Sequence, residues 1–298
     1  MKVRVQVPAT SANFGSGFDC LGAALDLYNL IEMEEADGCR IEICDGAAVP
    51  ADETNLIYTT ARDFYARCGR PFRGLHIRQW NGIPTARGLG SSSACIAGAL
   101  LGANELLGRP CTLDELVDLA AVAEGHPDNS TPALLGGFVA AAIDGDHVIA
   151  CRCPVPEGLG FLAVIPDFEL KTADARRALP DTVPRADGVY NLARSAVMAM
   201  SMAQGRLENL ALGAEDRLHQ PYRLGLIPGA EAVFGFFRGQ EVYASFISGA
   251  GSTLMALIPA GRAEELSAAA RAFLDREGLY GWQVLALGPG QGAAVHVI

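Results

Sequence analysis

The sequence predicts an α+β protein in two domains, and three observations carry that expectation. Its 298 residues exceed one small core and fit one large or two medium domains. Segments with the two-residue alternation of half-buried strands are mixed with helical segments, without the regular alternation of a parallel α/β sheet. A stretch rich in proline and glycine, "CPVPEGLG" at Cys153–Gly160, lies near the middle. It marks a boundary between domains over residues 1–155 and 156–298.

Taken in order, Val3, Val5 and Val7 alternate with Arg4 and Gln6, the pattern of a strand rather than a signal peptide. "PATSANFGSGFDCLGAALDLYN" then interrupts that strand with small residues and sets Asn13 and Asp19 among glycines. Such a loop either approaches a ligand closely or is a plain turn. A strand is expected at Cys39–Cys44, a helix at Thr54–Cys68, and a strand at Leu75–Arg78. Helices follow at roughly Ser92–Leu107 and at Leu113–Glu124. The last is bounded by a capping box, "TLDE" at Thr112–Glu115, and by a stop at Gly125 and Pro127. A strand at His147–Cys151 closes the first half. The second half opens with a strand in "FLAVIPDFEL", then offers helices near Asn191–Gln204 and Ala263–Arg276 and strands at Val242–Ile247 and Trp282–Leu287. "SGAGSTLMAL" at Ser248–Leu257 is a second glycine loop, suited to close backbone contact with another loop.

Composition excludes some classes of function. Half the residues are hydrophobic and 19% are charged, which is ordinary for a folded protein. A formal net charge of -11 argues against nucleic acid or anionic lipid as a partner, so any anionic ligand must be held by local groups. The longest uncharged apolar run, Ala133–Ile143, has 11 residues against the about 20 needed to cross a bilayer. The eight cysteines form no CxxC pair. Cys151 and Cys153 read as alternating strand residues, with metal ligation the alternative. A cytoplasmic protein with reduced thiols is expected.

The stretch "PTARGLGSSSA", Pro84–Ala94, carries the first chemical signal. Gly88 and Gly90 permit dihedrals and close approaches that a side chain forbids. The serines open a helix whose first N–H groups lack internal partners, so amides, dipole and hydroxyls together form an anion cradle. Ala94, Gly98 and Gly102 fall four apart, a small-residue stripe for close packing. The nucleotide P-loop pattern is absent, because its lysine is missing, and the third glycine of a dinucleotide fingerprint is missing too. The plain alternative is a helix that starts on glycine and serine caps. The chain's only lysines are Lys2 and Lys171, so the countercharge must come from elsewhere.

"AVAEGHPDNSTPALLGG", Ala121–Gly137, suggests its source. Glu124 occupies the last turn of its helix, where the dipole disfavours a carboxylate unless a cation sits beside it. Mg²⁺ between Glu124, a loop serine and phosphate oxygens fits that placement. His126, Asp128 and Asn129 follow in a turn set by Pro127, and an ordinary Asx turn is the bland reading. Thr172 and Arg176 are four apart on one helical face, and Arg223 ends "DRLHQPYR". Paired arginines can clamp a carboxylate, whereas single surface arginines are usually only solvated. Met198, Met200 and Met202 read as core filling.

Together these segments resemble the GHMP kinases. Three motifs match in order: "PATSANFGSGFD", "PTARGLGSSSA" and "SGAGSTLMAL". "EGHPDN", "ARRALP" and "HQPYR" are similar to the homoserine kinase branch of that superfamily and extend the match over most of the chain. The resemblance implies an N-terminal domain like ribosomal protein S5 domain 2 and a ferredoxin-like C-terminal domain. It places ATP on Pro84, Thr85, Ala86, Arg87, Gly88, Leu89, Gly90, Ser91, Ser92, Ser93 and Ala94, and Mg²⁺ on Glu124 with Ser91 or Ser92. It carries L-homoserine to Asn13, Asp19, His126, Asp128, Asn129, Thr172, Arg176 and Arg223. A zwitterion needs an anion for its ammonium, which Asp19 offers, and cations for its carboxylate, which Arg176 and Arg223 offer. Asn13 and Asn129 would orient the attacking hydroxyl, and Asp128 is the one candidate base. Two departures stand out: Ser93 replaces a customary alanine, and Ser252 stands where proline is frequent. The alternatives left open are a mevalonate-type kinase, a non-catalytic ligand sensor on the same fold, and a dinucleotide oxidoreductase. Dimers are common among relatives, so a homodimer is left open too.

Overall fold

A computed structural model describes residues 1–298. The first half contains β1 (Lys2–Ala12), β2 (Leu21–Glu35), β3 (Gly38–Ile43), α1 (Leu56–Arg67), β4 (Gly74–Asn81) and α2 (Ser91–Leu106). α3 (Leu113–Glu124), α4 (Ser130–Leu135), β5 (Phe138–Asp144) and β6 (His147–Cys153) complete it. The second half has β7 (Leu159–Ile165), α5 (Thr172–Arg177), α6 (Arg185–Gln204), α7 (Leu210–Gly213), α8 (Gln220–Arg223) and α9 (Ala230–Arg238). It ends with β8 (Ala244–Ile247), β9 (Leu254–Pro259), α10 (Ala263–Arg276), β10 (Gln283–Leu287) and β11 (Ala294–Val297). No helix is long and apolar enough to cross a membrane.

The strands form two sheets. A seven-stranded sheet runs β11-β1-β2-β4-β3, with β5 bridging β2 to β6, and a four-stranded antiparallel sheet runs β10-β7-β9-β8. The α+β class therefore holds. The sheets divide between Cys153 and Leu159, with one exception. β11 returns to pair antiparallel with β1, Val3 opposite Val297, so a single cut at residue 155 leaves that strand on the wrong side.

One expectation about the first strand is corrected, and the second strand was not expected. The small residues after Val7 do not interrupt it: β1 continues to Ala12, with a register shift at Pro8/Ala9. Thr10, Ser11 and Ala12 are buried there, and only small side chains fit between the facing strand and the helix behind. β2 shows no clean alternation because Leu21–Leu25 are buried on both faces, and so it was missed.

Packing explains why these elements meet at a common edge. The stripe on α2 lies against β2: a Cβ on Gly98 would come 2.5 Å from Ile31 Cδ1, and one on Gly102 would come 2.5 Å from Met33 Sδ. The four-stranded sheet is apolar on both faces. Phe161, Ala163, Phe246 and Met255 join the larger core with the first half. Leu162, Val164, Leu254 and Ala256 join a second core under α9 and α10. Phe14 bolts the halves together, with ring centroids 5.1 Å from Phe138 and 4.9 Å from Phe246. Each such pair contributes about 0.5–1.5 kcal/mol beyond the area it buries.

Candidate active site

The glycine-serine loop leads directly into α2, and Gly90 caps that helix in the left-handed region at φ 70°. A Cβ there would meet Thr10 Oγ1 at 1.9 Å, and one on Gly88 (φ 74°) would meet the Ser248 carbonyl at 2.2 Å. Both positions demand glycine, and Gly88 does so because the second glycine loop presses against it. Ser248 Oγ donates to the Gly88 carbonyl (2.6 Å), the Thr253 amide to the Arg87 carbonyl, and the Leu170 amide to the Ala86 carbonyl. The loop is thus braced by the second half of the chain. Ala86 itself sits at φ 52°, a strained value for alanine.

This loop forms one wall of a cleft of about 470 Å³. Ala86, Arg87, Gly88, Gly90, Ser91, Ser92 and Ser93 line it, together with Glu124, His126, Asn129 and Thr172. Pro84 and Thr85 border an adjoining cleft of about 330 Å³. Leu89 and Ala94 are wholly buried, so their side chains face the core and only their backbone belongs to the loop. Arg87 turns away from the cleft centre. Its guanidinium donates to the carbonyls of Pro166 (2.8 Å), Thr85 (2.9 Å) and Asp167 (2.8 Å), fixing the loop to the neighbouring domain.

Glu124, the last residue of α3, reaches the opening turn of α2. Ser92 Oγ donates to its Oε1 (2.8 Å) and Ser93 Oγ to its Oε2 (2.6 Å). Ser91 makes no such bond, whereas Ser93, which stands in place of a customary alanine, is buried and holds the carboxylate. A hard-oxygen set of one carboxylate and adjacent hydroxyls, facing a cleft, fits the ligand chemistry of Mg²⁺.

Beside this cleft, and joined to it through His126 and Asn129, side chains of distant segments form a second cluster. Asn13 (φ 71°) and Asp19 (φ 57°) both hold left-handed backbone conformations that cost non-glycine residues energy. Asn13 is committed internally: Nδ2 donates to the Gly249 carbonyl (2.7 Å) and Oδ1 accepts from the Asp19 amide (3.0 Å). Arg176 grips Asp19 with two bonds, 3.0 and 2.8 Å. His126 Nδ1 lies 2.6 Å from Asp128 Oδ1, and polar atoms of Asp19, His126 and Asp128 fall within 4.8 Å of one another. Burial lowers the His126 pKa, but Asp128 and the further charges of Glu124 and Asp19 outweigh it and hold the imidazole above its ordinary value. Asn129 Oδ1 accepts from Thr10 Oγ1 (2.8 Å).

Arg223 is almost fully buried. It donates to the Gly249 carbonyl (3.1 Å) and faces His219 Nδ1 (3.3 Å), with Phe18 beneath it at 5.1 Å. Because His219 Nε2 donates to the Gly15 carbonyl (2.7 Å), Nδ1 is left as an acceptor. Burial holds His219 below its usual value and neutral. Burial, then repulsion from Arg176, lowers Arg223 to about 10, still charged at neutral pH. Asp216 fixes the whole segment by accepting from the Leu218, His219 and Gln220 amides.

The chain matches the model of the GHMP kinases N terminal domain over residues 55–137 and that of the GHMP kinases C terminal domain over residues 198–276. It is 43% identical to the homoserine kinase of Moorella thermoacetica, over 92% of this chain and 93% of that one. The chain belongs to the homoserine kinase branch of the GHMP kinases. A crystal structure of homoserine kinase from Cytophaga hutchinsonii superposes with a TM-score of 0.88 at 27% identity, covering 99% of this chain and 97% of that one. A putative homoserine kinase from Listeria monocytogenes gives 0.84 at 33%, covering 99% of each. As in other GHMP kinases, ATP is the phosphoryl donor.

Four groups in or behind this kinase's cleft escaped the reading of the sequence. His219 and Phe18 lay inside matched motifs, "HQPYR" and "FGSGFD", and could have been taken from them. The Gly249 carbonyl, shared by Asn13 and Arg223, carries no sequence signal at all. Lys171 lines the same cleft as the serines, 80 residues later in the chain, so the loop is not without a lysine after all.

Proposed function

We propose that this chain transfers the γ-phosphoryl group of ATP to the side-chain hydroxyl of L-homoserine, giving O-phospho-L-homoserine for threonine biosynthesis in the cytoplasm. The observation that carries this reading is a cleft lined by an amide-rich helix start with Glu124, His126, Asn129 and Thr172, and the Asp19–Arg176–Arg223 cluster set beside it behind Gly249. The relatives named homoserine kinase, at 43% identity, support the choice of acceptor. A mevalonate-type acceptor has no ammonium to engage Asp19.

The α2 amides and the loop hydroxyls bind the nucleotide phosphates. Glu124 with Ser92 would hold Mg²⁺, which supplies charge neutralisation for the transferring phosphoryl group. Asp19 takes the substrate ammonium; Arg176 and Arg223 take its carboxylate, with Thr172 and His126 closing the pocket. In the transfer the acceptor oxygen bonds to the γ-phosphorus as the bond to the ADP oxygen breaks, and the hydroxyl proton passes to an oxygen of the transferred phosphoryl group. The transition state is loose, so alignment and electrostatics matter more than a strong base. Asp128 is nearly wholly buried and already bonded to His126, which suits an orienting role.

An ADP-release assay with homoserine, threonine, serine and mevalonate tests this directly. Homoserine is expected to be strongly preferred. Turnover of mevalonate above homoserine would reject the acceptor, and ATP binding without Mg²⁺-dependent turnover would reject catalysis.

A further inference from the structure

The cleft must hold a polyanion in a chain of net charge -11, and its cations can be accounted for one by one. Arg87 is committed to three main-chain carbonyls. Arg176 is paired with Asp19 and His126 with Asp128. Arg223 is buried against the Gly249 carbonyl and His219. Lys171 is different: it lines the cleft, is exposed, and has neither an ion pair nor a side-chain hydrogen bond.

Its backbone position is fixed from two sides. The preceding residue, Leu170, donates its amide to the Ala86 carbonyl of the glycine-serine loop (3.0 Å). The following residue, Thr172, begins α5, which carries Arg176 to the acceptor cluster. The Lys171 carbonyl itself accepts from the Asp174 and Ala175 amides, so the residue caps that helix. Lys171 therefore stands at the junction of the loop and that cluster, where the phosphate nearest the acceptor must lie.

Resting on the proposed ATP-dependent reaction, we infer that the Lys171 ammonium contacts the terminal phosphate of the nucleotide and neutralises charge as that group is transferred. An ammonium on a flexible stem acts as a point charge that can follow the moving phosphoryl group. Charge aimed at a transferring phosphoryl group lowers its barrier most where water is excluded.

The test compares Lys171→Met and Lys171→Arg with the unaltered chain, in two measurements at saturating Mg²⁺. Calorimetric titration with ADP and with a non-hydrolysable ATP analogue reads binding; ADP release with homoserine reads turnover. For Lys171→Met, kcat/KM for ATP and analogue affinity should each fall by about tenfold while ADP affinity stays within about twofold. Lys171→Arg should retain most of both, since it keeps the charge. Equal weakening of ADP and the analogue, or no change in either, would overturn the inference. If the unaltered chain fails to phosphorylate homoserine, the proposed reaction falls instead, and the ADP-against-analogue difference still decides where Lys171 acts.

Discussion

The two parts of the site are made in different ways. The part proposed to bind nucleotide is one stretch, Ala86–Ser93, in which glycine conformation and main-chain amides dominate, with the Glu124 carboxylate held against it by Ser92 and Ser93. The cluster proposed to bind the acceptor brings together Asn13, Asp19, His126, Asp128, Arg176 and Arg223 from four regions of the chain, and its groups are already engaged with one another or with the Gly249 carbonyl. The difference teaches that the stretch built from backbone depends on its shape and on the single carboxylate beside it, whereas a cluster of mutually paired side chains loses less when one charge is removed.

The largest effect should come from removing the carboxylate beside the nucleotide stretch. Glu124→Gln keeps the shape but not the charge, and kcat/KM should fall at least about 100-fold in an ADP-release assay. A fall below about fivefold would remove Glu124 from the metal site. Next, Gly88→Ala places a methyl group against the Ser248 carbonyl, and the KM for ATP should rise about tenfold, with the KM for homoserine little changed. Equal rises in both would break the division of labour, because they would mean that the interlocked loops serve both parts.

In the acceptor cluster, Asp128→Asn keeps volume and hydrogen bonding, so kcat should drop only about tenfold through lost orientation of His126. A loss beyond about 100-fold would make Asp128 the base. The smallest effect is on pH dependence. His126 titrates above its ordinary value when folded, so its contribution to stability is present below the unfolded pKa of about 6.5 and is lost as pH rises through the folded value. The stability difference between the unaltered chain and His126→Gln, from chemical denaturation, should therefore shrink as pH rises from 6 towards 8. A difference independent of pH would show that the Asp128 contact does not depend on the imidazolium.

Legibility in the sequence followed the same division. Helices with strong end signals were placed well: α3 was expected at Leu113–Glu124 and spans it, because its capping box and Gly125 act locally. α10 was likewise found at Ala263–Arg276. β2 and β9 were not read as strands, since burial on both faces erases the alternation that marks a strand, and β5 was missed because its run of alanines carries no alternation. At the site, the serine loop announced itself by adjacency in sequence. The Ser93–Glu124 bond, the Gly249 carbonyl hub and the approach of Lys171 depend on contacts between distant segments, which no local pattern records.

The return of β11 to the first sheet bears on how the molecule is assembled. β1 finds one partner in β2, which follows it directly, but its other edge is paired only by residues 294–297, beyond the whole second half. An open edge invites pairing with other chains. The sheet of the first half is thus closed by a strand that follows the second half, and that strand acts as a latch rather than as part of the domain it trails.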